Sequence, residues 1–270
     1  MSGDAGRASE MVERPADYAT HIFAVADAEV RKLLHDPWEI FSRALQPVLW
    51  LMLFGEVMAR VRGITSGGVR YLDFLAPGIL AQSALFVSIF YGISAIWERD
   101  LGVLHRYMVS PAPRSALVLG KALSSSVRAL TQATFVYICS VLLGVQLNLS
   151  PSHVAVVILL VVLGSGLFST FSLIIACIVK TRERFMGIGQ VLTMPIFFAS
   201  NAIYPIALMP TWLKAIASAN PLSYEVDGLR AMMLAGGVSV FGLGLDFLAL
   251  LVAFGVVAVI ATRMYPRLTQ

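Results

Sequence analysis

The sequence predicts an all-α polytopic membrane protein with six transmembrane helices, and three observations predict it. Hydrophobic residues make up 58% of the 270 residues and charged residues 13%, where a soluble domain has about 45–50% and about 25%. The apolar residues gather into six runs long enough to cross a bilayer as helices. Lys and Arg gather in alternate gaps between those runs. A soluble single-domain enzyme and a disordered chain are excluded by the same composition. The net charge is only +4 and the basic residues sit between apolar blocks. The pI near 9.2 therefore does not imply nucleic acid, and no nucleic-acid partner is expected. Six spans of about 20 residues leave room for loops but not for a large second domain. The expected organisation is a cytoplasmic N-terminus over 1–39, a six-span domain over 40–262 and a cytoplasmic tail over 263–270.

Residues 1–39 hold no continuous apolar stretch of the secretory-signal kind. They carry eight acids against four Lys and Arg, so insertion depends on the spans themselves. Ala19, Ile22, Phe23, Ala26, Val30, Leu33 and Leu34 share one helical face, with His21, Ala24, Ala28, Arg31 and Lys32 opposite. This predicts an amphipathic helix of interfacial type. A surface helix on a soluble domain is the plainer reading, but no soluble domain is available for it to cover. Asp36-Pro37 ends the helix, because the residue before proline avoids the helical region. Trp38 then stands where an aromatic belt belongs.

The six runs are 40–59, 74–96, 117–144, 154–179, 187–205 and 242–262. Helices satisfy backbone polar groups within each segment, and the alternation of barrel strands is not seen. The third and fourth runs are long enough to tilt or to extend into the cytoplasm. Thirteen Lys and Arg fall in the gaps on the side of both termini and five on the other, with Arg43 and Arg128 inside runs. Both termini are thus expected in the cytoplasm. Cys139 and Cys177 lie within apolar runs and read as small buried hydrophobes. No internal repeat divides the runs into halves, which weakens a secondary-transporter reading.

Constellations for catalysis or metal binding are not found. His21, His35, His105 and His153 all stand away from span centres. Leu163-Gly164-Ser165-Gly166 resembles a protease motif only in part and has no intramembrane histidine as base; Gly164 and Gly166 read instead as sites of close helix packing. Asp246 is expected to stand alone, without the second carboxylate an aspartyl protease needs. Glu56 and Arg60 have the spacing of a helical ion pair. Gly120-Lys121 is no Walker A loop, because Ser115 and Ala122 stand where Gly and Ser or Thr are required. Any ATP is then bound by another chain. Arg128 is either a functional intramembrane charge or a side chain reaching the interface, about 10 Å beyond Lys121 at helical rise.

Two connecting segments remain. After the second run, Leu101, Leu104 and Met108 can share a face of a short helix, with Arg99 and Arg106 off it and Pro111 and Pro113 behind. Such a helix suits docking in a partner's groove, and charges that only enforce topology are the alternative. Residues 197–230 are too apolar for a free loop and too broken by proline for one span. Half-helices dipping into the outer leaflet fit, provided protein or a water-filled cavity covers them.

The pattern Glu98-Arg99-x-x-Gly102-x-Leu104-x-Arg106, followed by Ser110-Pro111 and Arg114, resembles the cytoplasmic loop of ABC-2 type permeases. So does Asn220-Pro221-Leu222-Ser223-Tyr224-x-x-Asp227-x-x-Arg230 before the last run. Each motif is moderately specific and the ordered pair is strong. The resemblance covers nearly the whole chain and is closest to the daunorubicin-resistance and nodulation-factor exporter branch. It implies a multi-pass protein of the plasma (inner) membrane that exports an amphiphilic drug or a lipid-like substrate, with a lipid-linked glycan or lipo-oligosaccharide as the alternative. A non-transporting scaffold and an intramembrane enzyme are the readings from other classes. It implies no cofactor in this chain, with ATP and Mg on a separate ABC ATPase subunit present in two copies, and a second permease, identical or related. Glu98, Arg99, Gly102, Leu104, Arg106, Pro111 and Arg114 would form the coupling helix and its flank. Asn220, Pro221, Tyr224, Asp227 and Arg230 would belong to the re-entrant outer helices. Gln46, Phe86, Phe90, Tyr91, Phe197, Phe198 and Asn201 would line the substrate path; ordinary helix packing is the alternative for each.

Overall fold

The computed structural model describes residues 37–59, 70–102, 114–179 and 181–269, with Asp27 and Arg31. Of the amphipathic segment 19–36, the described part is the Asp27–Arg31 ion pair at 2.8 Å. Arg60, Leu104, Arg106, Met108, Pro111 and the side chain of Glu56 lie outside the described residues, so the expected helix through Leu104 and the Glu56–Arg60 pair do too.

The described chain is helical: α1 Pro37–Ala59, α2 Tyr71–Tyr91, α3 Ile93–Asp100, α4 Arg114–Leu142, α5 Pro151–Ile178, α6 Arg182–Phe198, α7 Thr211–Ala219, α8 Pro221–Met233 and α9 Leu243–Met264. No strand occurs among the described residues; one isolated bridge joins Leu147 to Leu234. The helix starts follow local chemistry. Proline stands in the first turn of α5 and α8, where its missing N–H costs nothing. Thr181 and Asn220 cap α6 and α8 through their side-chain oxygens, which satisfies one orphan donor in each case.

Packing centres on α5, which touches α2, α4, α8 and α9. The α2 helix is the most enclosed, buried at almost every position from Tyr71 to Ile89. The break between α2 and α3 falls at Gly92. A Cβ there would stand 2.0 Å from the Ser172 hydroxyl of α5, and that hydroxyl donates to the Ile89 carbonyl. Among the described residues, three helical stretches are long and apolar enough to cross a membrane: Tyr71–Asp100, Pro151–Ile178 and Leu243–Leu268. Within the last, α9 buries only Asp246, Leu250 and Ala261 and exposes Leu245, Leu248, Leu251, Val252, Val256 and Val259, while Tyr265 and Leu268 after it are buried. A continuous apolar face of that size suits lipid and not water.

The fifth apolar run does not end as the sequence predicts. Helix α6 has 17 residues, a rise of about 25 Å, and stops at Phe198 instead of reaching Pro205. The chain turns because the backbone of residues 199–204 is held from outside the helix. Tyr71 donates to the Ile203 carbonyl at 2.9 Å and Ser200 accepts from Ala202 N–H at 3.2 Å. Beyond the turn, α8 is enclosed by α2, α5 and α9, whereas α7 buries only Ala217 and leaves Trp212 and Ile216 exposed.

Candidate functional site

A cavity of about 570 Å³ opens among α1, α2, α4 and α6. Gln46 and Pro47 come from α1, and Gln132 from α4. From α2 come Gln82, Ser83, Phe86, Val87 and Phe90, continued by Ile93 of α3; α6 adds Met186, Gln190 and Met194. Two stripes explain the arrangement. Gln82, Phe86 and Phe90 recur every four residues on α2, as do Met186, Gln190 and Met194 on α6, so each set occupies one helix face. The Phe86 and Phe90 rings lie 6.2 Å apart and tilted. Four amides thus meet two phenyl rings and two thioethers, and the described lining carries no ionisable side chain. The Gln82 carbonyl oxygen is buried with no hydrogen-bond partner.

The expected path residues divide. Gln46, Phe86 and Phe90 line this cavity. Tyr91 turns toward α4, where the Arg128 guanidinium lies 5.6 Å from its ring centroid. Phe197 is buried in the main core and packs edge-on against Trp50 at 6.3 Å. Phe198 is 42% exposed beside it. Asn201 is buried, and its backbone carbonyl accepts from Arg230. Gln82, Gln132, Gln190, Met186 and Met194 were not expected at a path. The i, i+4, i+8 stripes were the available signal for most of them, but nothing local distinguishes a stripe facing a cavity from one facing a neighbour.

The α3 end of the bundle collects charge. Glu98 accepts from Lys121 Nζ with both oxygens at 2.7 Å, and Lys121 is buried. Two residues with different sequence roles thus form one ion pair across α3 and α4, so Glu98 serves the bundle internally. Asp100 pairs with Arg99 at 3.1 Å and with Arg182 at 2.9 Å. Arg182 also stacks 3.6 Å over the Trp97 ring, which fixes the α3 end against the start of α6. The helix stops at Asp100, and Gly102 follows at φ 72°, a left-handed conformation that glycine adopts without strain. Leu101 is left 70% exposed. Arg114 begins α4 and is exposed.

At the opposite end the second motif supplies structure. Asn220 caps α8 and donates its amide to the Ile196 carbonyl at 2.7 Å. Pro221 opens the helix. Tyr224 donates to the Ser218 carbonyl at 2.6 Å and packs against Phe241. Arg230 is buried, donates to the Asn201 carbonyl at 2.9 Å and the Phe74 carbonyl at 3.4 Å, and stacks 3.8 Å over the Phe74 ring. Asp227 accepts from Ser239 Oγ and Phe241 N–H, each at 2.9 Å.

Asp246 does not stand alone. Its Oδ2 accepts from the same Ser239 hydroxyl at 2.8 Å, so the hydroxyl joins Asp227 of α8 to Asp246 of α9. The residues are 19 apart in sequence, and only the 234–242 turn brings them together. A hydroxyl has one hydrogen and serves one carboxylate at a time. Glu225 is a further buried carboxyl, pressed against Gly164 of α5 at a point where a Cβ would stand 2.2 Å away. Gly164 thus provides the close packing expected of it. Among the described residues, no group of three or more His, Cys, Asp or Glu could hold a metal ion.

Comparison with known proteins places these features in context. The family model for the ABC-2 type transporter matches residues 20–234. The protein ycf38 of Cyanophora paradoxa, named a transport permease, is 31% identical over 215 residues, covering 79% of this chain and 74% of its own. The daunorubicin resistance ABC transporter permease protein DrrB1 of Streptomyces coeruleorubidus is 26% identical over 253 residues, covering 92% and 87%. YbhR of Escherichia coli K12, named a multidrug ABC transporter permease, is 28% identical over 169 residues, covering 62% and 45%.

Proposed function

Because the chain belongs to the ABC-2 type transporter family, we propose that it is the membrane-spanning subunit of an exporter for an amphiphilic drug or lipid-like molecule. It has six spans and both termini in the cytoplasm, formed by α1, α2 with α3, α4, α5, α6 and α9. The helices α7 and α8 are the re-entrant pair. Two such permeases, identical or related, take two separate ABC ATPase subunits, which hold the ATP and Mg. The boundaries are 1–39, 40–262 and 263–270.

The observation that carries this reading is the cavity among α1, α2, α4 and α6, which offers phenyl rings and amides together. A site of about 300–1,000 Å³ with an apolar wall and a few polar groups suits a drug-sized ligand. The names of DrrB1 and YbhR point to drugs, and this chain takes that substrate class by likeness. ATP binding and release on the partner switch the cavity between two openings through differential contacts.

The coupling segment meets the ATPase through α3 and the residues after it. Glu98 holds Lys121 and is a poor probe of docking, whereas Leu101 is exposed and bonded only through its backbone. Replacing it by Asp removes an apolar anchor, for which a loss of about tenfold or more in affinity is typical of an interface core. Copurification from detergent-solubilised membranes with co-expressed ATPases checks this. The expected result is a complex with the wild type and a weakened one with Leu101→Asp at equal membrane level. An equal complex with both moves the docking surface away from α3, and no complex with any ATPase contradicts the ATP-driven reading.

A further inference from the structure

The composition of the cavity wall says more than that a ligand fits. Gln46, Gln82, Gln132 and Gln190 reach it from four different helices. Each amide offers two donors and two acceptor sites. Placing amides in a membrane-embedded wall costs free energy unless they find partners, and the buried Gln82 carbonyl oxygen has none within the protein. The described wall supplies no ionisable side chain to balance a charge on a guest. A phosphate group entering it would be desolvated without a counter-charge, which costs far more than burying a hydroxyl or carbonyl that the amides can bond.

A second hollow of about 350 Å³ runs along the outside of α1, lined by Leu45, Leu49, Trp50, Leu53 and Phe54, and it shares Gln46 with the cavity. Trp50 and Phe54 stack there with centroids 4.6 Å apart. Gln46 therefore stands where an apolar groove meets the amide-lined space. This is the arrangement for a molecule with an apolar body and an uncharged, hydrogen-bonding head.

We infer that the cavity selects amphiphiles bearing neutral hydroxyl, carbonyl or amide groups, and rejects those with an anionic head, the amides of Gln82, Gln132 and Gln190 acting as the specificity determinants. The inference rests on the permease reading and names its substrate class.

The test uses two photoreactive probes with one dodecyl chain, each carrying a diazirine, and the full chain in nanodiscs. The heads are maltoside and phosphate, and labelled positions are read by peptide mass spectrometry. The maltoside probe is expected to label the peptides containing Gln82 and Gln190. The phosphate probe is expected to label only lipid-facing positions of α9. In Gln82→Leu with Gln190→Leu, labelling by the maltoside probe inside the cavity falls about tenfold, the scale of lost hydrogen bonds. Gln190 is exposed, so Gln190→Arg is expected to leave the fold intact and to admit the phosphate probe.

Equal labelling of the cavity by both heads would overturn the selectivity. So would maltoside labelling that Gln82→Leu with Gln190→Leu leaves unchanged, or a cavity that no probe enters, in which case the amides only hold water. None of these outcomes bears on complex formation with an ATPase, so the permease reading stands or falls separately.

Discussion

Gly78→Ala is expected to cost about 3 kcal/mol or more of stability, at the upper end of overpacking effects. The added Cβ would stand 2.3 Å from the Ala202 carbonyl oxygen and 2.8 Å from its carbon. Those are backbone atoms of the buried turn after α6, so no rotamer change relieves the contact. The turn is itself anchored, because the Ile203 carbonyl accepts from Tyr71 and the Asn201 carbonyl from Arg230. Either α2 moves away from the turn or the turn loses its bonds. The check is the temperature at which half of the detergent-solubilised protein is lost from the monodisperse peak. Gly187→Ala is the control, since its Cβ would meet nothing within 4 Å and alanine favours a helix. The midpoint should drop sharply for Gly78→Ala and stay level or rise for Gly187→Ala. Equal midpoints would mean that α2 and the turn are not in contact.

Arg230→Ala is expected to lose about 3–5 kcal/mol, the scale of two hydrogen bonds from a charged donor lost together. The guanidinium joins three segments: it bonds carbonyls of the 199–205 turn and of α2, and covers the Phe74 ring. Asp227, three residues earlier on α8, loses the nearby positive charge. Lysine restores charge but not the planar fork, so Arg230→Lys should fall between the two. Rank order in the same thermal assay checks this, with the wild type highest and Arg230→Ala lowest. Arg230 and Gly78 act on one turn, so their effects should not add when combined. Because that turn fixes the end of α6, both variants should also disturb the cavity wall that Gln190 and Met194 supply.

Much of the helical frame was legible in the sequence. The starts and ends expected for α4, α5 and α9 lie within three residues of those observed, since a long apolar run bounded by proline, glycine or charge leaves few alternatives. The end of α6 was not legible. Ala199–Tyr204 is as apolar as a helix continuation, and what bends it is a set of bonds from Tyr71 and Arg230, far away in sequence. The same limit applies to charges. Lys121 read as a failed Walker motif and Glu98 as part of a docking helix, yet their closest partners are each other. Asp246 had no acid nearby in its own run, but α8 brings Asp227 to the same serine. Glutamines drew no attention because no spacing marks them, and only the packing of α2, α4 and α6 assembles them around one space. Periodicity reports faces; it does not report which face meets a void.

The account is tested most directly by transport in inverted membrane vesicles containing this chain and its copurifying ATPase. A fluorescent amphiphile panel is offered outside the vesicles, with ATP or with a non-hydrolysable analogue. Accumulation of at least one neutral member that requires ATP hydrolysis, and that is reduced in Leu101→Asp at equal protein level, is the predicted result. A complex that hydrolyses ATP while no amphiphile moves, or movement indifferent to ATP, would contradict it.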